Sequence, residues 1–147
     1  MTHQDWMQYA FEQARIAERN GEVPLGAVII ENQKIIAKNH NQTITQKDPT
    51  AHAEILCIRQ ACLAQNNHRL KDTTLYVTLE PCIMCYGAII QSRVSHIVYA
   101  ASDTQNGVFS QPKLSQILKL NHHPSHLGGI MASECSDLLR AFFQEKR

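Results

Sequence analysis

Two short segments carry side chains able to do chemistry, His52-Ala53-Glu54 and Pro81-Cys82-Ile83-Met84-Cys85. Together they supply an imidazole, a pair of thiols and a carboxylate. Zinc accepts such a donor set, and a catalytic zinc keeps three protein ligands and an open fourth position for water. His52, Cys82 and Cys85 are the expected ligands. The spacing of the cysteines lets both sulfurs reach one ion from a single helical turn. A helix start also presents unpaired N–H groups and a partial positive charge, which favour thiolate over thiol. Pro81 suits that position, because an N–H there has no partner anyway. Glu54 follows His52 too closely to share its helix face, so it is not read as a ligand from the side of the helix. Its carboxylate can approach a metal-held water from another direction. Two thiolates cancel the formal charge of zinc, so that water is less acidified than in an all-histidine site. A nearby carboxylate base becomes correspondingly more useful.

Other readings of these residues exist. A CxxC pair can be redox-active, and without the histidine arm that reading would stand level with metal binding. A structural zinc site wants four closed ligands. Cys57, Cys62 and Cys135 are read as small core residues. His122, His123 and His126 are read as a solvated loop, since no thiol or carboxylate stands beside them.

The elements that must position the site follow from periodicity and turn chemistry. Apolar side chains at Trp6, Tyr9, Ala10, Ala14 and Ala17 predict a helix from Trp6 to Arg19, ended by Asn20-Gly21. Gly26–Ile30 and Lys34–Lys38, joined at Asn32-Gln33, read as a β-hairpin. The polar stretch from Asn39 to Thr50 leads into a second helix through Ile55, Leu56, Ile58, Arg59, Cys62 and Leu63. Either Asp48, with Pro49 behind it, or Thr50 could cap that helix. Thr74–Thr78 is a strand rich in β-formers. Glu80-Pro81-Cys82 opens a helix that runs to about Ser92, and His96–Ala101 is another strand. Ser102–Gln111 reads as a loop with Gly107, Leu114–Leu120 as a short helix and Asn121–Gly129 as irregular. Glu134–Lys146 is a last amphipathic helix with Leu138, Leu139, Phe142 and Phe143 facing inward. This order predicts an α/β protein, a three-layer α/β/α sandwich around a central mixed five-stranded sheet.

The chain has 147 residues, 44% of them apolar and 18% charged, which suits a single domain over 1–147 with one sizeable core. A formal net charge of +1 neither demands nor excludes nucleic acid, because local clustering of Lys and Arg decides that. Lys113, Lys119, Arg140, Lys146 and Arg147 could supply a basic rim. The start lacks a basic region followed by an apolar one, so no secretory signal is expected, and no apolar run is long enough to span a membrane. With five cysteines, an odd number, a reducing cytoplasmic location is expected.

H-x-E followed by P-C-x-x-C is the signature of zinc-dependent nucleobase deaminases. The likeness extends well beyond it. Glu22 to Val28, Asp48 to Ile55, Leu75 to Cys85, Gly87 to Ile90 and Ser92 to Val94 resemble segments of the bacterial tRNA adenosine deaminase family, as does the Phe142-Phe143 helix. The resemblance implies the cytidine-deaminase-like fold, a homodimer, and conversion of adenosine to inosine at the wobble position of an arginine tRNA anticodon. Such an enzyme is a zinc-dependent hydrolase of an amidine C–N bond. It implies attack of a zinc-activated water on C6 of adenine. Glu54 would take the water proton, deliver it to N1 and later protonate the departing amine.

The resemblance also implies that Asn41 contacts the flipped nucleotide, that Asp103 lies near its ribose and backbone, and that Val23, Pro24 and Leu25 help wall the base pocket. From residue type alone, Asn41 could equally cap a turn, Asp103 could order its loop, and Val23 and Leu25 could be core. A free-base enzyme acting on guanine or cytosine would keep the same zinc site. A non-catalytic zinc or RNA-binding module would have no use for Glu54. The segment from Asn121 to Ile130 departs from the family, which carries a clear strand there, because Pro124 and Gly128-Gly129 weaken one.

Overall fold

The computed structural model describes residues 1–111, 114 and 119–146. Helix α1 (His3–Arg19) is followed by strands β1 (Gly26–Glu31) and β2 (Lys34–His40), helix α2 (Ala53–Gln65), strand β3 (Thr74–Leu79) and helix α3 (Ile83–Ser92). Strands β4 (His96–Ala101) and β5 (Ser125–Leu127) and helix α4 (Ala132–Glu145) complete the order among the described residues. The five strands form one sheet in the order β2-β1-β3-β4-β5. β1 pairs antiparallel with β2 and β3, whereas β3–β4 and β4–β5 are parallel. The sheet is therefore mixed, and the helices cover both of its faces.

Alternation along the central strands assigns those faces. Ala27, Ile29, Leu75, Val77 and Ile97 point to one side, where they meet Ala53, Cys57, Ile58 and Ala61 of α2 and Ile89 of α3. Val28, Ile30, Tyr76, Val98 and Ala100 point to the other, against Trp6, Met7 and Ala10 of α1 and Cys135 of α4. This is the expected three-layer sandwich. The hairpin turn places Asn32 and Gln33 at φ 50 and 62, the left-handed pair that a two-residue turn between twisted strands requires. Gly26 has no room for a side chain, since a Cβ there would lie 2.1 Å from the Ala10 carbonyl oxygen and 2.5 Å from the Ala14 nitrogen.

Several boundaries differ from expectation. α1 begins at His3, because Thr2 and Asp5 form a reciprocal capping box. Neither Asp48 nor Thr50 caps α2. Asp48 instead accepts hydrogen bonds from the backbone and hydroxyl of Thr50, and His52 is the N-cap. The stretch expected to be irregular contains β5. It forms because backbone pairing to β4 supplies what local propensity lacks: the Ser125 N–H donates to the Ser95 carbonyl at 3.1 Å and the Gly129 N–H to Ala100 at 3.1 Å. Pro124 precedes the strand, where its missing N–H costs no ladder bond. A Cβ on Gly128 would meet the Tyr99 ring at 2.3 Å, so this glycine lets the edge close.

On α4, Phe142 is buried and Leu138 and Leu139 are half-buried, but Phe143 is 49% exposed and does not face inward. The helix expected over 114–120 lies largely outside the described residues, as do Lys113 and Arg147. Among the described residues no helix is long and apolar enough to cross a membrane.

Candidate active site

α2 and α3 lie on the same face of the sheet, and each begins with an expected zinc ligand. His52 and Cys82 are the two N-caps, both in extended backbone, and neither side chain caps its own helix. Their side chains are thus free to face each other across the gap between two helix starts. Cys85 follows in the first turn of α3 and is buried. Nδ1 of His52 lies 3.8 Å from Sγ of Cys82 and 3.5 Å from Sγ of Cys85. The three ligand atoms all lie within 4.8 Å of one another. Nitrogen and sulfur bound tetrahedrally to one zinc stand about 3.6 Å apart. The donor set and its spacing therefore fit a zinc ion without rearrangement.

The electrostatics point the same way. Hydrogen bonds from Cys85 and His52 bring the Cys82 thiol down to about 3. The partner thiol of Cys85 is pushed up by that same bond and by burial. His52 is raised chiefly by its bond to Cys82. The three groups share protons that a dication would displace. Two helix N-termini add partial positive charge where thiolate charge would sit.

Glu54, in the first turn of α2, is only 5% exposed. Burial pushes its carboxyl above the usual carboxylate range, which its hydrogen bonds only partly offset. A carboxyl whose proton affinity is raised in that way is suited to taking and returning a proton.

A cavity of about 280 Å3 opens above these groups. That lies at the small end of ligand sites and fits a flat base better than an extended ligand. His52, Glu54 and Cys82 stand at one end, and Leu25, Val77, Leu79 and Ile83 make apolar walls. Glu80, Asp103 and Asn106 complete the lining. Of the residues expected to touch substrate, Leu25 and Asp103 line this cavity; Val23, Pro24 and Asn41 do not. Asn41 is buried behind it. Its backbone N–H donates to the Leu25 carbonyl at 3.0 Å and its Nδ2 to the Val23 carbonyl at 3.4 Å. Its Oδ1 is buried with no hydrogen-bond partner among the described residues. Asn41 thus fastens the 23–25 segment and keeps one acceptor in reserve.

The loop between β2 and α2 is fastened by Glu22. This buried carboxylate accepts from the Ile44 and Thr45 N–H groups at 3.1 and 2.7 Å and from the Thr45 hydroxyl at 2.5 Å.

Sequence reading missed Val77, Leu79, Glu80, Ile83 and Asn106 as lining residues. The available signals were the position of Leu79-Glu80 at the end of a strand leading into the CxxC, and the Asn106-Gly107 turn pair. The other cysteines and histidines stay outside the donor set, but His122 and His126 do not share the solvated loop expected for them, since His126 lies in β5. Cys57 and Cys135 are buried and Cys62 is half-buried; burial pushes all three thiols up, Cys135 to about 12. His122 bonds the Val94 carbonyl, and His126 stacks on Phe109 at 3.9 Å between centroids. Neither belongs to a metal-binding group among the described residues.

The MafB19-like deaminase family matches residues 1–147. A tRNA-specific adenosine deaminase of Haemophilus influenzae is 46% identical over 143 residues, covering 96% of this chain and 83% of that one. Its counterpart in Bacillus subtilis is 44% identical, covering 97% and 89%. A structure solved in a study of A-to-I editing by tRNA:A34 deaminases superposes with a TM-score of 0.87 at 39% identity, covering 91% of this chain and 98% of that one. A guanine deaminase of Bacillus subtilis superposes with a TM-score of 0.68 at 40% identity, covering 71% and 67%. With the site and the sheet both accounted for, the chain belongs to the MafB19-like deaminase family, among the tRNA-specific adenosine deaminases.

Proposed function

We propose that this chain deaminates adenosine to inosine at the wobble position of a tRNA anticodon, with an arginine tRNA as substrate, one Zn2+ per subunit and the cytoplasm as its location. The observation that carries the reading is the buried, unliganded carboxylate of Glu54 beside the His52, Cys82 and Cys85 donor set at the end of a base-sized cavity. A structural metal site has no use for such a carboxylate.

His52, Cys82 and Cys85 hold the metal, which when bound activates water for attack on C6 of adenine. Glu54 removes a proton from the attacking water and passes it to N1. It then carries the remaining hydroxyl proton from the oxygen on C6 to the amino group, and the C6–N bond breaks, so that adenosine and water become inosine and ammonia. The apolar walls of Leu25, Val77, Leu79 and Ile83 hold the base plane and exclude bulk water. Asp103 faces the sugar and backbone. Asn41 fastens the 23–25 segment by its bonds to the Val23 and Leu25 carbonyls, and with Val23 and Pro24 braces the pocket wall from behind. An unpaired anticodon base suits this site, since extruding it costs less than opening a duplex. The chain acts as one domain over 1–147 and pairs as a homodimer. Leu63 on α2, 84% exposed, is the kind of apolar side chain that a second copy would cover.

The test is inosine formation by zinc-loaded protein in an arginine tRNA anticodon stem-loop bearing adenosine at the wobble position. Free adenosine, cytidine and guanine run in parallel, guanine because of the structural likeness to a guanine deaminase. Inosine in the stem-loop alone is expected. Ammonia from a free base without stem-loop inosine would overturn the substrate and leave the zinc chemistry.

A further inference from the structure

We propose that Glu80 is a positioning residue, which sets the loop over residues 102–110 and so fixes Asp103 and Asn106 at the cavity rim. The inference rests on the nucleotide substrate proposed above.

Glu80 is 2% exposed and has no basic partner among the described residues. A carboxylate is buried at a cost unless its oxygens are hydrogen-bonded. Here they are, and every partner lies in one loop. Oε1 accepts from the Asp103 N–H at 2.9 Å and the Ser110 hydroxyl at 2.6 Å, and Oε2 accepts from the Ser110 N–H at 2.7 Å. The charge therefore grips both ends of the loop with bonds stronger than neutral ones. Between those ends, Gly107 packs directly on the carboxylate. A Cβ there would stand 2.2 Å from Cδ of Glu80 and 2.4 Å from Oε2.

The grip continues to the rim. Asp103 uses Oδ1 to accept the N–H groups of Gln105 and Asn106 at 3.1 and 3.0 Å. Glu80 thus fixes the Asp103 backbone, and the Asp103 side chain fixes Asn106. Glu80 is itself held, since its N–H donates to the Ala101 carbonyl at 2.8 Å and the metal ligand Cys82 follows one residue beyond Pro81. One rigid strand end therefore sets both the metal ligand and the substrate-facing loop. Although Glu80 lines the cavity, its oxygens are already engaged, which separates its role from that of Glu54.

The test is steady-state kinetics on the stem-loop for Glu80→Gln, Gly107→Ala, Asp103→Ala and the Glu80→Gln/Asp103→Ala double variant, with zinc content and Tm measured on each. Glutamine puts an NH2 where a carboxylate oxygen faces an N–H, so the loop loses its anchor without loss of side-chain volume. KM is expected to rise about tenfold, the loss of one charge-assisted hydrogen bond, while kcat changes less than about threefold and zinc is retained. The double variant is expected to be no worse than the poorer single one, because Glu80 reaches the substrate through the Asp103 side chain, which Asp103→Ala has already removed. Gly107→Ala crowds the carboxylate without removing it and is expected to raise KM as well. It carries the test if Glu80→Gln does not fold. A lowered Tm with unchanged KM, loss of zinc, or losses that simply add would each overturn the assignment. Wild-type protein that makes no inosine in the stem-loop would instead overturn the proposed substrate, and is seen before any variant is compared.

Discussion

Nδ1 of His52 and Sγ of Cys85 stand 3.5 Å apart although 33 residues separate them in the chain. That distance is what a shared tetrahedral ion demands. Purified protein is expected to contain one zinc per chain. Chelation should abolish deamination and lower Tm by on the order of 10 °C, since the bound ion stabilises only the folded state. His52→Ala and Cys85→Ala should lose zinc by elemental analysis. A variant that keeps full zinc occupancy without His52 would remove it from the ligand set.

Glu54→Gln separates chemistry from folding. It should keep zinc and bind the stem-loop, while kcat falls by about 10²-fold or more, the range of general acid–base catalysis. The Tm of the zinc-free variant should not drop, because a neutral amide is easier to bury than the carboxylate that burial already disfavours. Normal turnover by this variant would refute the proton shuttle.

Acid stability should depend on Glu22 and His40. Burial raises the Glu22 pKa, but the hydrogen bonds from Thr45 and Ile44 outweigh it and hold the group below its ordinary 4.5. A depressed carboxyl contributes stability that is present above 4.5 and lost as pH falls through the folded value. His40 is depressed from 6.5 by burial, against the pull of Glu22, so its contribution is likewise lost as pH falls, beginning near 6.5. Both act in one direction. Urea unfolding followed from pH 7 to pH 3 should show stability falling in two stages, with Glu22→Gln flattening the lower one. A Glu22→Gln variant that loses as much stability as the wild type as pH falls below 4.5 would contradict this.

Gly26→Ala should be among the most destabilising small substitutions. The new Cβ would meet backbone atoms of α1 at Ala10 and Ala14, which cannot give way as a side-chain tip can. A cost of about 1–3 kcal/mol is expected in denaturant unfolding. Arg140→Ala is the contrast, since its ion pair with Asp137 is exposed on both sides and should change stability by less than about 1 kcal/mol.

The grouping of His52, Cys82 and Cys85, the carboxylate of Glu54 beside them and the order of helices and strands up to β4 were legible in the residues themselves. These depend on residue type, on spacing within one turn and on periodicity, all of which are local. Tertiary structure decided the rest. The strand Ser125–Leu127 exists because β4 offers it backbone partners, and its own Pro124 and Gly128 give no sign of that. His52 became the cap of α2 in place of Asp48 or Thr50, since the start of that helix is set by packing against the sheet and by the loop that Glu22 holds. The outward turn of Phe143 depends on what lies opposite α4, not on the α4 sequence. Asn41 fell behind the cavity while Glu80 and Asn106 came to line it. Which residues face a cavity is fixed by hydrogen bonds between segments distant in the chain, and no local pattern encodes them.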